Sequence, residues 1–231
     1  MSLVHNMRIR TPGMELDWLA LSQTDVAELM AFGKQVEFPN AKAIIFEQGG
    51  AAKKFYLLTT GIVRVCRILP DGGRHVIAFH WPGDLFGMEE NGHYLNHAET
   101  VIASTIYEFS AHKLQAFLLA HPQVQQTMLV KAVQSLRAVQ RQLIVVGHLD
   151  LHRAIAAFLV DCTEHDGYFN HQTNILTLPM SRYDIADYLG SATESVTRAM
   201  TRLEADGLIR RVTPRELALD LVQLRQLANL D

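Results

Sequence analysis

Residues Leu178 to Gly207 read LPMSRYDIADYLGSATESVTRAMTRLEADG. The run has the pattern of two helices joined by a tight turn. Ser181, with Asp184 three residues on, is a start signal: a hydroxyl accepts from the first unpaired backbone amides, and an acid suits the first turn. The first helix runs to about Leu189, and Gly190 takes the turn conformation that a residue with a Cβ adopts only at a cost. In the second helix Val196, Ala199, Met200 and Leu203 recur at helical spacing and give a buried side, and Gly207 stops it. This is helix-turn-helix spacing.

The other face of the second helix carries polar chemistry. Glu194, Thr197 and Arg198 are three and four positions apart and project from one side, with Thr193 and Arg202 one turn either way. Such a helix fits the major groove of DNA. There an arginine bonds both acceptors of a guanine edge, a glutamate accepts from a cytosine amine, and a threonine touches a thymine methyl. The plainer alternative is a solvated salt bridge between Glu194 and Arg198. The turn and the hydrophobic pattern around the pair favour the groove.

Downstream, Leu208 to Val212 and Leu217 to Leu219 read as two strands around Thr213-Pro-Arg-Glu216, a wing, and Leu221 to Leu230 as a closing helix. Upstream, Leu176 and Leu178 give a short strand. From Gln123 to Val146 the pattern is one long helix: Leu129, Leu136 and Leu143 repeat every seven residues, with Ala132, Val139 and Val146 three positions after each. That is an a/d seam, open to two readings, a two-helix dimer interface or a helix packed within one chain. Gly147 is expected to interrupt the helix and form a hinge before a second helix through Ala154 to Cys162. Between Lys34 and Phe109 short β-rich runs alternate with turns, at Ile44 to Phe46, Phe55 to Leu58, Ile62 to Val65, Val76 to Phe79 and Val101 to Phe109. Pro70-Asp-Gly-Gly73 is a hairpin turn, and strands of this kind make a jelly roll or sandwich. Before them, Ser22 or Thr24 caps a short helix over Val26 to Phe32.

These motifs resemble the Crp/Fnr superfamily of bacterial transcription regulators, most closely its FixK-like and Fnr-like branch. The resemblance is carried by Ser181 to Gly190, Glu194 to Arg198 and Leu203 to Ile209. Independently it is carried by Phe46-Glu-Gln-Gly49, Phe55 to Gly61 and Pro82-Gly-Asp-Leu-Phe-Gly87. It implies an α+β chain with an N-terminal double-stranded β-helix, a jelly roll like those that bind cyclic nucleotides, over 1–122. A dimerisation helix over 123–147 and a winged helix over 148–231 follow. The implied activity is sequence-specific binding of a palindromic TTGA-type site by a homodimer, with RNA polymerase as partner. On this resemblance Glu194, Thr197 and Arg198 read bases, and Ser181, Arg182, Ser191, Thr193 and Arg202 hold the DNA backbone. Leu129, Ala132, Leu136, Val139, Leu143 and Val146 line the dimer seam.

Charge does not announce a nucleic-acid partner. The net charge is -3, and from His148 onward eight arginines face twelve acidic residues. Five of those arginines, however, fall between Arg198 and Arg215, and local placement outweighs the sum. Two distant cysteines, Cys66 and Cys162, argue against a disulfide framework and for a reducing compartment. No apolar run is long enough to span a bilayer, and the expected location is the cytoplasm.

No nucleophile triad, phosphate loop or carboxylate pair points to an enzyme. The competing reading is a small-molecule-binding or cupin-like protein whose helix-turn-helix only packs. His148 with His152, and His93 with His97, have metal-pair spacing on a helix, yet neither has a nearby completing ligand, and no metal is expected. An iron-sulfur cluster needs more thiolates than two. Each cysteine is read as an inert thiol, with Arg64 and Arg67 beside Cys66 leaving a redox role open. Cyclic AMP is not expected either. Relatives that bind it follow Phe-Gly with Glu and place an Arg shortly before Ala, whereas here Met88 follows Gly87, and Asn96 and His97 precede Ala98. Haem is doubted as well, since Glu89 stands where the resemblance implies the iron-ligating histidine.

Overall fold

The computed structural model describes residues 10–11, 14–15, 22–89 and 91–228. Strands β1 (Arg10–Thr11) and β2 (Met14–Glu15) pair antiparallel. Helix α1 (Gln23–Ala31) starts at Ser22, whose hydroxyl accepts from the Asp25 amide while the Asp25 carboxylate accepts from the Ser22 amide. This reciprocal bonding satisfies two otherwise orphan donors, so the cap is Ser22 rather than Thr24.

Eight strands follow: β3 (Lys34–Phe38), β4 (Ile44–Phe46), β5 (Lys54–Thr60), β6 (Val63–Ile68), β7 (Arg74–His80), β8 (Leu85–Phe86), β9 (His97–Thr100) and β10 (Ser104–Ser110). They form two antiparallel four-stranded sheets, ordered β3-β10-β5-β8 and β4-β9-β6-β7. Phe46, Tyr56, Leu58, Val63, Val65, Phe86, Tyr94, Ala98 and Ile106 fill the space between them. Of the expected strand from Val101 to Phe109 only the part from Ser104 onward is strand, β10, because the chain leaves one sheet after Thr100 and enters the other at Ser104. That crossing passes against Gly61 (φ 89°), where an added Cβ would lie 2.2 Å from Ser104 Oγ. Strand β3 was not anticipated, since Lys34-Gln-Val-Glu-Phe38 offers one partly buried residue in two and too little apolar signal.

The outer face of the β5–β10 sheet is covered by helices. Val26 and Leu29 of α1, Leu114 and Phe117 of α2 (Ala111–Ala120) and Val124 of α3 (Pro122–His148) pack on Phe55, Leu57 and Phe109. Each such fully buried side chain contributes about 1.5 to 3 kcal/mol.

Gly147 does not interrupt α3, which corrects the expected hinge. The helix continues to His148, because an exposed glycine inside a helix costs only about 1 kcal/mol relative to alanine and need not end it. The break falls at Leu149 and Asp150, where the Asp150 carboxylate accepts from the Arg153 amide at 3.1 Å and opens α4 (Leu151–Cys162). The chain divides into two compact units inside α3, between Leu136 and Arg137.

In the second unit α4 buries Ala154 through Val160. It is followed by β11 (Phe169–Asn170), β12 (Ile175–Thr177), α5 (Arg182–Leu189), α6 (Thr193–Ala205), β13 (Ile209–Thr213), β14 (Glu216–Leu219) and α7 (Leu221–Ala228). The sheet order is β11-β12-β14-β13, so the β13–β14 hairpin is the expected wing and β12 is the expected strand before the two helices. Leu230, placed by sequence in the closing helix, lies outside the described residues. Among the described residues no helix is long and apolar enough to cross a membrane.

Candidate nucleic-acid interface

The start of α5 is built by a capping box. Ser181 Oγ accepts from the Asp184 amide at 3.2 Å, and Asp184 Oδ2 accepts from the Ser181 amide at 3.0 Å and hydroxyl at 2.7 Å. Both Ser181 donors are therefore engaged, and the residue positions the helix start that carries Arg182. The turn residue Gly190 has φ 62°, the left-handed value expected of it. Helix α6 then packs Val196, Met200 and Leu203 inward, with Ala199 half-buried.

Glu194, Thr197, Arg198 and Arg202 are exposed on the other side, while Thr193 and Ser191 at the entry to α6 are half-buried. Thr197 Oγ1 donates back to the Thr193 carbonyl at 2.9 Å, which ties its hydroxyl to the helix backbone. The Arg198 guanidinium donates to Ser195 Oγ at 3.3 Å. Among the described residues it forms no ion pair with Glu194, so the plainer salt-bridge reading is not what the geometry gives.

Arg182 is half-buried. Burial lowers the pKa of its guanidinium, the nearby positive Arg211 adds to the effect, and Glu204 opposes it. Glu204 also accepts from the Arg211 amide at 3.2 Å, tying the first wing strand to α6. Arg211 and the exposed Tyr183 thus border the same helix-turn-helix, and neither was singled out from sequence. Their only signal was membership of the arginine cluster and an aromatic on the outer side of a short helix.

The predicted seam of α3 is exposed along its length, with Leu129 at 65%, Leu136 at 58% and Leu143 at 68% relative exposure, and Ala132, Val139 and Val146 exposed as well. The buried residues of this helix are Val124 and Val145. Val133 and Ile144 are also exposed and widen the stripe beyond the a/d pair, which a strict seven-residue count misses.

Between the roll's sheets the aromatic rings pack closely. Phe46 stacks on Tyr94 at 4.0 Å and on Tyr56 at 5.4 Å, and Tyr56 stacks on Phe86 at 5.3 Å. The two phenol oxygens lie 3.2 Å apart, and Tyr94 donates to the Lys54 carbonyl at 2.8 Å. Burial, then the bond to Tyr94, pushes the Tyr56 phenol far up. Gly87 (φ 78°) is required here, because a Cβ would lie 2.7 Å from the Tyr56 ring.

The histidine pairs do not share helices. His148 ends α3 while His152 sits in α4, and His93 lies outside the strand that holds His97. Among the described residues no group of three or more His, Cys, Asp and Glu could hold a metal ion. Cys66 and Cys162 are both buried thiols not joined in a disulfide, and burial, followed by Asp161, raises the Cys162 thiol well above its ordinary value.

Residues 37–121 match the family model of the cyclic nucleotide-binding domain, and residues 153–230 match that of the Crp-like helix-turn-helix domain. The chain is 32% identical over 191 residues to the nitrogen fixation regulation protein FixK of Bradyrhizobium diazoefficiens, covering 81% of this chain and 80% of that one. It is 38% identical over 165 residues to FixK of Rhizobium meliloti, covering 71% and 73%. The chain belongs to the Crp/Fnr family. Within it the similarity is to the FixK-like branch, and the solved structure of FixK2 from Bradyrhizobium japonicum superposes with a TM-score of 0.77 at 27% identity, covering 84% of this chain and 96% of that one. A Crp/Fnr protein with this helix-turn-helix is a DNA-binding transcription regulator, as its relatives are, and the cupin-like alternative finds no support among them.

Proposed function

We propose that this regulator binds DNA as a homodimer, joined along the exposed stripe of α3, with α6 of each copy in the major groove of one half of a two-fold symmetric site. The observation that supports it most directly is the outer face of α6. Glu194, Thr197 and Arg198 stand exposed on a helix whose other side is core, and Arg198 is not committed to Glu194. Arginine on guanine and glutamate on its partner cytosine cover both members of one base pair, and the threonine methyl suits a thymine. Family resemblance makes the half-sites TTGA-type, spaced about 34 Å apart, one helical turn. Arg182, Ser191, Thr193 and Arg202 contact the backbone, with Ser181 fixing the start of α5. RNA polymerase is the partner and the cytoplasm the place of action.

Fluorescence anisotropy with a palindromic TTGA duplex and a scrambled one, over a range of salt, tests this. Binding that is salt-sensitive and prefers the palindrome is expected. Equal affinity for both duplexes returns the rival reading. Arg198→Ala is expected to weaken the palindrome by about 1 to 3 kcal/mol and to relax choice at one base pair only. An unchanged site preference in that variant removes Arg198 from the base-reading set.

We infer further that cyclic AMP, haem and an iron-sulfur cluster are not its effectors. Where a nucleotide-binding relative would take the ribose hydroxyl with a glutamate, this chain has Met88, which is 60% exposed, and where an arginine would neutralise the phosphate it has Asn96. Ala98 points into the roll core, so His97 shares the outer face with Glu99, away from the interior. Glu89 accepts from the Leu95 amide at 3.3 Å; Glu90 lies outside the described residues. A phosphate desolvated there without a cation would cost several kcal/mol. Calorimetry with cyclic AMP is expected to show no binding at micromolar concentration and no change in DNA affinity. Micromolar affinity coupled to tighter DNA binding overturns this.

A further inference from the structure

We propose that His152 is a proton-dependent positioning residue for DNA binding: through Asp206 it governs whether the Arg202 guanidinium is held on the protein or released to the DNA backbone. This rests on the DNA-binding reading of α6 and adds a regulation to it.

Asp206 caps the C-terminal end of α6, its amide directed to the Arg202 and Glu204 carbonyls. Its Oδ2 lies 3.5 Å from His152 Nε2 and 3.7 Å from Arg202 Nε. The two nitrogens are not equivalent. The His152 side chain is 13% exposed and its Nε2 is buried without a hydrogen bond, whereas the Arg202 side chain is 70% exposed.

When the imidazole is neutral, Asp206 has one cation to hold, and that is Arg202. The second ring proton makes the imidazole a second cation, with a buried Nε2–H facing Asp206 and little water to solvate it, so the carboxylate is worth more to the ring than to the arginine. Arg202 can turn to solvent at little cost. It can turn equally to a phosphate, where its charge displaces counterions and adds to affinity. DNA binding therefore tightens as pH falls and the ring takes its proton, and weakens as pH rises.

Other charged groups on the elements around His152 are already engaged or point elsewhere. On α4, Arg153 donates to the Leu227 carbonyl, Asp150 accepts from the Arg153 amide, and Asp161 pairs with Arg141. On α6, Glu204 bonds to Arg211. Asp220, before α7, bonds to Gln223; Arg225 on α7 is exposed. On α5, Asp184 serves the Ser181 cap, and Arg182 and Asp187 are half-buried. His148 is exposed at the end of α3. Asp206 is the carboxylate that reaches the ring.

The test is anisotropy of the full-length protein on the palindromic duplex at fixed salt, from about pH 8 to about pH 6, for wild type, His152→Gln, Asp206→Asn and Arg202→Ala. Wild type is expected to bind about three- to tenfold tighter at the lower pH, with His152→Gln and Arg202→Ala flat. Asp206→Asn, a change at a half-exposed cap that leaves the buried ring in place, is expected to be flat and as tight at high pH as wild type is at low pH. A pH response that survives in His152→Gln or in Arg202→Ala overturns the proposal. Wild type that binds with no pH response overturns it too, whereas wild type with no preference for the palindrome at any pH sinks the DNA reading on which it stands.

Discussion

Leu136→Asp is expected to leave the protein monomeric at micromolar concentration and to lower its affinity for the full palindrome by about 3 kcal/mol or more, two powers of ten. Leu136 is 58% exposed in the isolated chain, so the substitution costs the folded monomer little. In a dimer joined along α3 the same carboxylate meets its counterpart across the two-fold axis, where it is desolvated without a partner, at a cost of several kcal/mol. Each half-site then binds alone, and the gain from two tethered contacts disappears. Sedimentation gives the assembly and anisotropy the affinity. A variant that sediments as a dimer moves the interface off this stripe.

Leu203→Ala is expected to destabilise the second unit by about 3 kcal/mol, within the 2 to 5 kcal/mol typical of emptying a packed leucine site. Leu203 is fully buried on the inner side of α6, among the largest enclosed side chains of the fold, with Ile185 of α5 and Leu159 of α4 likewise enclosed in this unit. Removing it leaves a cavity where the recognition helix meets its support. The matched control is Arg202→Ala on the outer face of the same helix, expected to stay within about 0.5 kcal/mol. Urea unfolding of the two variants decides it. Equal midpoints would mean that α6 is not oriented as described.

The helix-turn-helix was legible residue by residue because its signals are local. Ser181 with Asp184, Gly190, and the spacing of Val196, Met200 and Leu203 each concern contacts within a turn or two of chain, and each appears where expected. The hairpin at Pro70 to Gly73 and the wing were legible for the same reason. Gly147 misled because a single glycine is a weak signal against a long helix, and what ends α3 is the side-chain cap at Asp150. The strand from Val101 to Phe109 misled because apolar alternation does not record the point at which a chain changes sheets.

The sequence alone therefore determined the order of modules, the membership of the family and the face of α6 that meets solvent. The order of modules and the exposed face follow from periodicity and capping, which depend on near neighbours along the chain, and the family follows from the resemblance of the motifs. Only the tertiary structure decided that Arg198 bonds Ser195 rather than Glu194, that the aromatic rings of the roll stack on one another, and that His152 meets Asp206. His152 and Asp206 are far apart in sequence, and no local pattern encodes which helix ends are brought together. That depends on the packing of α4 against α6, where the burial of Ile155, Leu159 and Leu203 places a histidine ring beside the last turn of the recognition helix.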